Sequence, residues 1–458
     1  MTMTTKKPDA DLTSPSSLGE DKTRQPRRSR RIRALVYADF LVLVAVLFAS
    51  VLIRFGMDWP KSFSTYLIGF LIASALHMLV YYFGELYDAA PRIGAKLWLP
   101  RVTALTSIAI LLEATIVLIT DYYLMPRGNL LLLWGFGSLG ITFNRWLSGR
   151  IGVRRYGTPR VLLVGSYSDI NLGKKHIKEC DSKLIVAGEL NSIDELSHEI
   201  ESKQATDVLL LTSGLLSEIY PKPLEDLEMR RVGVFQQILP SDTLLGLRRS
   251  IQIAGMPFTA LRAHTLSASR SHFKTFTECL YLVVLLIPIL ILTLFTAAYV
   301  RIVAGKEIVI KQERVGKFGS TFNMLKFRTM HHNAEDQTGT VKAQKDDHRI
   351  ITGLKWVRRS RLDELPQFIN VLKGEMSIIG PRPERPDFTN EYEGLIPGYG
   401  RRHDIPPGIT GLAQVSGHYH TDPSYKLGHD LQYLVNWSPI LDLQILIRTV
   451  WVIFIGRT

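Results

Sequence analysis

A chain of 458 residues is long for a single hydrophobic core, so two or three structural units are expected. Hydrophobic residues make up 46% of the chain and charged residues 21%, which supports a membrane protein in which apolar bands alternate with soluble parts. The formal charge of +13 suits lipid headgroups, nucleotides or nucleic acid, and does not choose among them. The two cysteines, Cys180 and Cys279, lack the spacing of a metal or redox site.

The N-terminal part predicts a tail and then membrane helices. Residues 1–33 are poor in apolar residues and rich in Thr, Ser, Pro, Lys and Arg, which predicts a disordered basic tail. No small-residue cleavage site follows, which favours a retained anchor over a signal peptide. Four apolar segments, each near the length that crosses a bilayer, predict a four-helix transmembrane domain over residues 34–150: 34–53, 66–83, 103–120 and 129–147.

Cations set the expected orientation of this bundle. Lys and Arg concentrate in the tail, in the 84–102 loop and after the fourth helix, so both ends of the bundle are expected in the cytoplasm. Three ionisable residues fall inside the predicted spans: Asp39, His77 and Glu113. We assign them no function and expect hydrogen bonds inside the bundle.

Residues 151–265 alternate between strand and helix patterns. RVLLVG (160–165) and DVLLLT (207–212) are typical of buried strands, and residues 192–203 predict a helix opened by a Ser192/Glu195 capping box. The alternation predicts a Rossmann-like domain with a parallel sheet. The turn after the first strand reads GSYSD and lacks two phosphate-loop glycines, which favours a structural or regulatory domain over a dinucleotide site.

Two apolar stretches follow in the C-terminal part. Residues 280–300 are long enough to span, but Pro288 favours a kink, and cations flank the stretch on both sides. We therefore expect a re-entrant helix that breaks at Pro288, with a straight span as the alternative. Residues 439–456 predict a helix along the membrane surface, with Ser438 as its N-cap and Pro439 in its first turn.

An acidic pair among cations is the most informative local feature. Asp363 and Glu364 lie side by side in LDELPQ (362–367), between upstream arginines and the GPRP at 380–383. A helix start would explain the acidic residues. It would not explain the density of arginine, which suggests a ligand that carries phosphate.

Four motifs occur in order between residues 326 and 443: KFRTM, LDELPQFINVLKGEMSIIGPRP, PPGITGLAQVSG and KLGHDLQYLVNWSPILDL. With them the sequence resembles the bacterial polyprenyl-phosphate sugar-1-phosphate transferases, the monotopic phosphoglycosyl transferases that begin exopolysaccharide, O-antigen and capsule repeat units. The resemblance is specific over residues 270–458. It extends more loosely to the whole chain, because larger members carry four membrane helices and a Rossmann-like middle domain.

The resemblance implies a reaction and roles for particular residues. In the family, the Asp of the pair attacks the β-phosphate of a UDP-sugar, UMP leaves, and polyprenyl phosphate takes up the sugar-phosphate. Asp363 would be the nucleophile and Glu364 a ligand of Mg²⁺. Four cations would bind substrate phosphate, with a surface cation or a structural ion pair as the alternative for each: Lys326, Arg328, Arg358 and Arg382.

The sequence departs from the family pattern in three places. Glu278 stands where an Asp is usual, Ile287-Pro288 replaces a Ser-Pro, and Leu412 replaces a Trp. These differences affect the membrane fit more than the phosphoryl chemistry.

The expected fold is a membrane α-helical bundle plus α/β: four transmembrane helices, a Rossmann-like α/β domain, and a mostly α catalytic domain over residues 266–458 with the re-entrant helix 280–300. The resemblance implies an undecaprenyl-phosphate sugar-1-phosphate transferase of the bacterial inner membrane, multi-pass, with its catalytic domain on the cytoplasmic face. Its partners would be Mg²⁺, a UDP-sugar (glucose or galactose favoured), undecaprenyl phosphate and membrane lipids, without nucleic acid. A homodimer is one option.

Two other classes of function stay open. A membrane-anchored nucleotide-sugar epimerase or dehydratase would need a glycine-rich loop and a Tyr-x-x-x-Lys pair, which residues 155–265 lack. A non-catalytic scaffold for polysaccharide assembly would not need Asp363 or Glu364.

Overall fold

The computed structural model describes residues 25–60, 62–88, 93–94, 98–120, 127–180, 184–212, 214–220, 222–239, 251–262, 266–331, 349–416 and 422–455. The chain divides into two compact units. The first consists of Met1–Tyr82 and Leu97–Arg155, and the second of Phe83–Lys96 and Tyr156–Thr458.

Helices make up the first unit. They are α1 (Gln25–Phe55), α2 (Phe63–Phe83), α3 (Trp98–Thr120), α4 (Arg127–Leu132) and α5 (Ser138–Tyr156), with the π-helical turn Leu133–Gly137 joining the last two. Because α1 begins at Gln25, residues 25–33, predicted as disordered, are helical instead. Gln and Arg favour helix, and a long apolar helix extends at low cost once it has formed. The rest of the predicted tail lies outside the described residues.

Membrane helices occur in both units. Within the described part of the chain, four helices are long and apolar enough to cross a membrane: Ile32–Phe55, Phe63–Phe83, Trp98–Ile119 and Ala268–Ala304. The first three correspond to predicted N-terminal segments, and the chain is a membrane protein. The segment predicted at 129–147 is helical but is not one of these four. It is divided among α4, the π-helical turn and α5, and α5 carries four arginines: Arg145, Arg150, Arg154 and Arg155.

The ionisable residues inside the bundle contact one another. Asp39 accepts a hydrogen bond from Asn144 Nδ2 at 2.6 Å and forms an ion pair with Arg145. His77 Nδ1 lies 3.0 Å from Glu113 Oε1. Asp39, His77, Glu113 and Arg145 are all buried. The expected hydrogen bonds inside the bundle are present for Asp39 and for His77, which contacts the Ala73 carbonyl at 3.0 Å, whereas Glu113 has the ion-pair contact to His77.

The second unit begins with a six-stranded sheet of order β2-β1-β3-β4-β6-β5. Its strands are β1 (Arg160–Val164), β2 (Ile185–Leu190), β3 (Asp207–Leu210), β4 (Gly233–Gln237), β5 (Ile251–Ile253) and β6 (Met256–Leu261), and its helices are α6 (Tyr167–Glu179), α7 (Leu196–Ser202), α8 (Leu216–Ile219) and α9 (Lys222–Met229). The first four strands are parallel, as predicted, whereas β5 and β6 pair antiparallel at the edge. Val161 and Leu163 lie in one core and Leu162 and Val164 in another, so helices cover both faces.

The predicted Ser192/Glu195 capping box is wrong. Helix α7 begins at Leu196, with Glu195 as its N-cap and no capping bond from that side chain. The Ser192 hydroxyl donates to Asp194 Oδ2 at 2.7 Å and accepts from the Asp194 amide at 3.2 Å. Ser192 therefore stabilises a local turn that competes with the helix for residues 192–195.

The GSYSD turn holds an acidic side chain of its own. Ser166 is the N-cap of α6, and the Asp169 carboxylate accepts from the Thr212 hydroxyl at 2.6 Å and the Ser166 hydroxyl at 2.7 Å. Thr212 and Ser166 hold the pKa of Asp169 below its usual range. An anion of the protein thus lies in the first turn of α6, where dinucleotide-binding folds place a phosphate.

The rest of the second unit is mostly α, as predicted. Its helices are α10 (Ala268–Ala304), α11 (Lys355–Arg359), α12 (Gln367–Leu372), α13 (Pro386–Leu395), α14 (Leu412–Ser416), α15 (Pro423–Asn436) and α16 (Pro439–Ile455). An antiparallel hairpin, β7 (Val309–Val315) and β8 (Thr321–Phe327), and a short parallel pair, β9 (Ser377–Ile379) and β10 (Gly408–Thr410), complete it.

Helix α10 is anchored at both ends and exposed in the middle. Near its start, Lys274 Nζ donates to the Ile379 carbonyl at 2.8 Å and pairs with Glu278. Near its end, Val300 lies in a core with Phe327 and other residues. Between them the apolar side chains around Pro288 are exposed, and the helix continues through the proline.

Helix α16 packs one side against a hydrophobic core, with Asp442 buried there, and leaves several apolar side chains exposed on the other side. The Ser438 hydroxyl accepts from the Leu441 amide at 3.2 Å, which confirms Ser438 as the N-cap. Asp442 is fully buried, and its carboxylate accepts from Tyr433 at 2.7 Å and from Trp437 at 3.0 Å. The exposed apolar side chains recur at helical spacing: Ile440, Leu443, Ile447, Val450 and Trp451.

Candidate active site

The acidic pair lies in a buried turn. Arg361, with a φ of 59°, adopts a left-handed conformation after α11 and directs the chain into the 3₁₀ turn Leu362–Glu364. Asp363 is only 7% exposed and Glu364 5%. Helix α12 begins three residues later at Gln367, so the pair precedes the helix rather than forming its first turn.

Three cations from different segments converge on one oxygen of Glu364. Arg382 Nη2 lies 2.9 Å from Glu364 Oε1, Lys326 Nζ lies 3.0 Å from it, and Arg361 Nη1 lies 3.3 Å from it. Lys326 is on β8, Arg382 is in the GPRP loop after β9, and Arg361 immediately precedes the turn. The fold thus brings two of the predicted phosphate-binding residues, Lys326 and Arg382, onto the predicted metal ligand.

The two carboxyl groups are electrostatically different. Burial and the adjacent Glu364 charge raise the pKa of Asp363 to about 6, and Lys326, Arg358 and Arg361 partly offset the rise. Burial also acts on Glu364, but Arg382, Lys326 and Arg361 hold its pKa well below the usual range. Asp363 Oδ1 is buried and has no hydrogen-bond partner within the described residues. Glu364 is therefore a fixed anion, whereas Asp363 carries an unpartnered oxygen.

Asn370 on α12 fastens this turn to the hairpin. Its Oδ1 accepts from the Leu325 amide at 3.0 Å, and its Nδ2 donates to the Asn323 carbonyl at 2.9 Å. Leu325 directly precedes Lys326 on β8. A fully buried amide thus fixes the distance between Lys326 and the acidic pair.

The GPRP loop is held by close contact between backbones. The Gly380 amide donates to the Thr410 carbonyl, and the Gly408 amide donates to the Pro381 carbonyl, both at 2.8 Å. A Cβ on Gly408 would lie 2.0 Å from the Gly380 nitrogen, so only glycine fits there. The PPGITG stretch therefore supports the loop that carries Arg382.

The other two predicted phosphate-binding residues have different surroundings. The Arg328 guanidinium donates to the Ala304 carbonyl and, at 2.7 Å, to the Glu307 carbonyl, where α10 ends. Helix ends leave carbonyls without partners, so this contact stabilises the end of α10. Arg358, on α11, is one of the cations whose charge acts on Asp363.

The acidic pair supplies carboxylate oxygens of the kind that Mg²⁺ binds. Carboxylate oxygens are preferred ligands of Mg²⁺, and Asp363 Oδ1 is an unpartnered oxygen beside the permanently charged Glu364. The part of the chain that the structure describes has no group of three or more His, Cys, Asp or Glu that could hold a metal. The residues fit an ion bound through one or two carboxylates together with substrate phosphates.

Sequence reasoning missed two residues of this site. Arg361 was part of the visible arginine cluster, and its spacing of three residues before Glu364 was a usable signal. Asn370 gave a weaker signal, as a single amide inside the apolar stretch FINVL. Its importance depends on a strand 47 residues away.

Comparison with known proteins agrees with this arrangement. The profile of the family described as bacterial sugar transferase matches residues 269–456, the segment that holds the acidic pair and its cations. An uncharacterized sugar transferase, EpsL, of Bacillus subtilis is 40% identical over 160 residues, which are 35% of this chain and 76% of that protein. The chain belongs to the bacterial sugar transferase family.

Longer relatives share the same segment. A UDP-N-acetylgalactosamine-undecaprenyl-phosphate N-acetylgalactosaminephosphotransferase of Aeromonas hydrophila is 42% identical over 168 residues, 36% of this chain and 40% of the relative. A UDP-glucose:undecaprenyl-phosphate glucose-1-phosphate transferase of Klebsiella pneumoniae is 36% identical over 215 residues, 46% of each chain. The part of this sugar transferase that matches thus covers less than half the length of each of these two relatives.

Proposed function

We propose that this protein transfers a sugar-1-phosphate from a UDP-sugar to undecaprenyl phosphate and releases UMP, as a first membrane step of exopolysaccharide, O-antigen or capsule synthesis. The observation that carries the proposal is the buried Asp363–Glu364 pair, in which one carboxylate is anchored by three cations and the other keeps an unpartnered oxygen. The names of the relatives from Aeromonas and Klebsiella agree with this chemistry.

The reaction divides into two displacements at phosphorus. In the first, an Asp363 oxygen attacks the β-phosphorus of the UDP-sugar, and the bond from that phosphorus to the oxygen bridging the two phosphates breaks. UMP leaves with the bridging oxygen, and the sugar-phosphate remains on Asp363 as an acyl phosphate. In the second, a phosphate oxygen of the lipid attacks the same phosphorus, the bond to Asp363 breaks, and the carboxylate is regenerated.

The cations around Glu364 support this scheme. A carboxylate and a diphosphate repel each other, and preorganised positive charge lowers that cost at the moment of reaction. Lys326, Arg361 and Arg382 already converge beside Asp363, and Glu364 keeps them in place without substrate. Asp363 is ionised at neutral pH, because its raised pKa of about 6 remains below 7.

Magnesium is part of the proposal. Asp363 and Glu364 would hold the ion together with the diphosphate, and the ion would neutralise charge on the phosphate oxygens. Glu364 supplies the permanent negative charge that such an ion requires.

A re-entrant path for α10 is also proposed, supported by its anchoring. A straight helix of 37 residues would be about 55 Å long. Residues up to Leu282 pack against a core that contains Met324, and residues from Ala297 onward pack against one that contains Phe327. Met324 and Phe327 are three residues apart on β8, or about 10 Å. The helix is continuous through Pro288, and a bend there, where the side chains are exposed, would let both anchored ends stay on one side of the membrane.

This path would keep the active site at the cytoplasmic face of the inner membrane, where a UDP-sugar and the lipid phosphate meet. The exposed apolar side of α16 would lie against the same leaflet. The parallel strands β1 to β4, with helices on both faces, support a Rossmann-like assignment for the middle sheet. Asp169 in the first turn of α6 favours a structural or regulatory role for it over nucleotide binding.

The proposal is tested by measuring turnover with a panel of UDP-sugars. Purified protein in lipid nanodiscs is incubated with Mg²⁺, undecaprenyl phosphate and, in turn, the UDP derivatives of glucose, galactose, N-acetylglucosamine and N-acetylgalactosamine. We expect UMP release and a lipid-linked sugar with one donor, and radiolabelled UMP should exchange into that donor without lipid. No UMP release with any donor would refute the transferase and favour an assembly scaffold. Turnover without exchange would refute the covalent intermediate.

A further inference from the structure

Arg402 is a buried cation outside the acidic turn. It lies in the 3₁₀ segment Tyr399–Asp404 and is 4% exposed. Its Nη2 donates to the Arg382 carbonyl at 2.8 Å and lies 2.9 Å from Asp430 Oδ2. Its Nη1 donates to the Tyr399 hydroxyl.

The carbonyl that Arg402 holds belongs to the residue whose side chain reaches the acidic pair. Arg382 is thus fixed at both ends, its backbone oxygen by Arg402 and its guanidinium by Glu364. Backbone bonds from residues 408 and 410 hold the preceding loop residues, Pro381 and Gly380. Arg402 is a side chain that anchors the loop at Arg382 itself.

The geometry of Arg402 is itself fixed by burial. Asp430 on α15 is 2% exposed and forms the ion pair that a buried guanidinium requires. The planar fork of arginine meets three acceptors in fixed directions, which a lysine ammonium on a flexible stem cannot reproduce. A rigid connection therefore runs from α15 through Asp430 and Arg402 to Arg382.

We propose that Arg402 is a positioning residue that sets the backbone of Arg382, and through it the guanidinium that faces Glu364 and the substrate diphosphate. The part that concerns the diphosphate rests on the function proposed above. Arg402 itself touches no reacting atom, so it acts only through Arg382.

The test compares two adjacent arginines. Arg402→Lys keeps the charge and removes the fork. Arg401→Lys makes the same change at the adjacent residue and is the matched control; the Arg401 guanidinium lies 5.3 Å from the Tyr220 ring and donates to the Arg262 carbonyl at 3.4 Å, both in the middle domain rather than in the GPRP loop. We expect Arg402→Lys to lower kcat/KM for the UDP-sugar about tenfold or more, and Arg401→Lys to leave it within about twofold.

A double-mutant cycle with Arg382→Lys separates positioning from a general loss of structure. If Arg402 acts through Arg382, the double variant is no worse than Arg382→Lys alone. Losses that multiply, or full activity in Arg402→Lys, would overturn the proposal. If Arg402→Lys does not fold, Tyr399→Phe takes its place in the same cycle, because it removes one acceptor of Arg402 and keeps the cation. The same results would then overturn the proposal.

Hydrogen exchange gives a readout that does not depend on catalysis. Amides of the peptide that contains residues 380–384 should exchange faster in Arg402→Lys than in the wild type or Arg401→Lys, with β1 to β4 unchanged. Unchanged exchange in this peptide would overturn the positioning role. If the wild type releases no UMP but this exchange result is obtained, the proposed function fails and the positioning role stands.

Discussion

Asp363 and Glu364 are neighbours in one buried turn, yet their pKa values are shifted in opposite directions. Burial and the charge of Glu364 raise the pKa of Asp363 to about 6. Three cations hold the pKa of Glu364 well below its usual range despite its burial. Two adjacent carboxyl groups thus differ in charge behaviour: Glu364 is a permanent anion, whereas ionisation of Asp363 is costly.

Replacing Asp363 should remove activity and increase stability. Asp363→Asn should abolish UMP release, because an amide cannot form the acyl phosphate. It should also raise the free energy of unfolding at neutral pH by on the order of 1–3 kcal/mol, since a pKa raised from 3.8 to about 6 means that the buried carboxylate is destabilising. Thermal unfolding in detergent measures the second effect.

The stability gain has a defined pH range. The folded protein binds the Asp363 proton more tightly than the unfolded chain, so the stability contributed by the protonated form is lost as the pH rises from about 4 to about 6. The difference between Asp363→Asn and wild type should therefore be largest above pH 6 and vanish below pH 4.

The rate of donor cleavage should fall in acid. Because the proposed nucleophile is the carboxylate form of Asp363, the rate should decline below about pH 6 as this one group is protonated. The measurement is a single turnover of UDP-sugar without lipid, followed as the burst of UMP. Because no acceptor is present, ionisation of the acceptor cannot contribute to the pH dependence. A rate constant that stays level down to pH 5 would contradict the assigned pKa.

Glu364 should support both structure and metal dependence. Glu364→Gln leaves Lys326, Arg361 and Arg382 without their shared anion, so we expect a loss of about 3 kcal/mol in stability and a weaker response of UMP release to Mg²⁺. Glu364→Asp, which keeps the charge, is the matched control. If EDTA leaves wild-type turnover unchanged, the magnesium assignment is wrong.

Arg328 should behave as a structural residue. Its guanidinium donates to the carbonyls of Ala304 and Glu307, so Arg328→Gln should lower the unfolding temperature and leave KM for the UDP-sugar within about twofold. Arg382→Gln, measured in parallel, should raise KM or lower kcat. A tenfold rise in KM for Arg328→Gln without a change in stability would instead support its predicted role in phosphate binding.

The path of α10 is testable by thiol labelling. Cys180 and Cys279 are exposed and are first replaced by serine. Ile302→Cys, at an 83% exposed position after Pro288, should react with a membrane-impermeant reagent only after the inner membrane is opened. Met57→Cys, in a loop expected on the opposite side and 88% exposed, should react in intact spheroplasts and serves as the control.

The proline itself provides the second half of that test. Pro288→Leu restores the missing helical hydrogen bond and should straighten α10, so that part of the Ile302→Cys population becomes accessible from outside. Labelling of Ile302→Cys in intact spheroplasts without this change would show that α10 crosses the membrane.

Local patterns in the sequence determined the features that depend on neighbouring residues. Apolar runs of membrane length predicted the positions of α1 to α3 and α10, because the apolar content needed to cross a bilayer is a property of one contiguous segment. Ser438-Pro439 predicted the start of α16, because a helix cap is formed by residues a few positions apart. The Asp-Glu pair was recognisable because its motif is contiguous. Where two local bonds compete, as at Ser192, the same kind of reasoning chose the wrong one.

The tertiary structure decided which charges meet. Among the cations near the acidic pair in sequence or motif, Lys326, Arg361 and Arg382 reach Glu364, whereas Arg328 is used at the end of α10. Asn370 and Arg402 gained their importance only when strands and loops 20 to 47 residues away packed against them. Electrostatic contacts depend on distance and burial in three dimensions, and a one-dimensional pattern carries neither quantity.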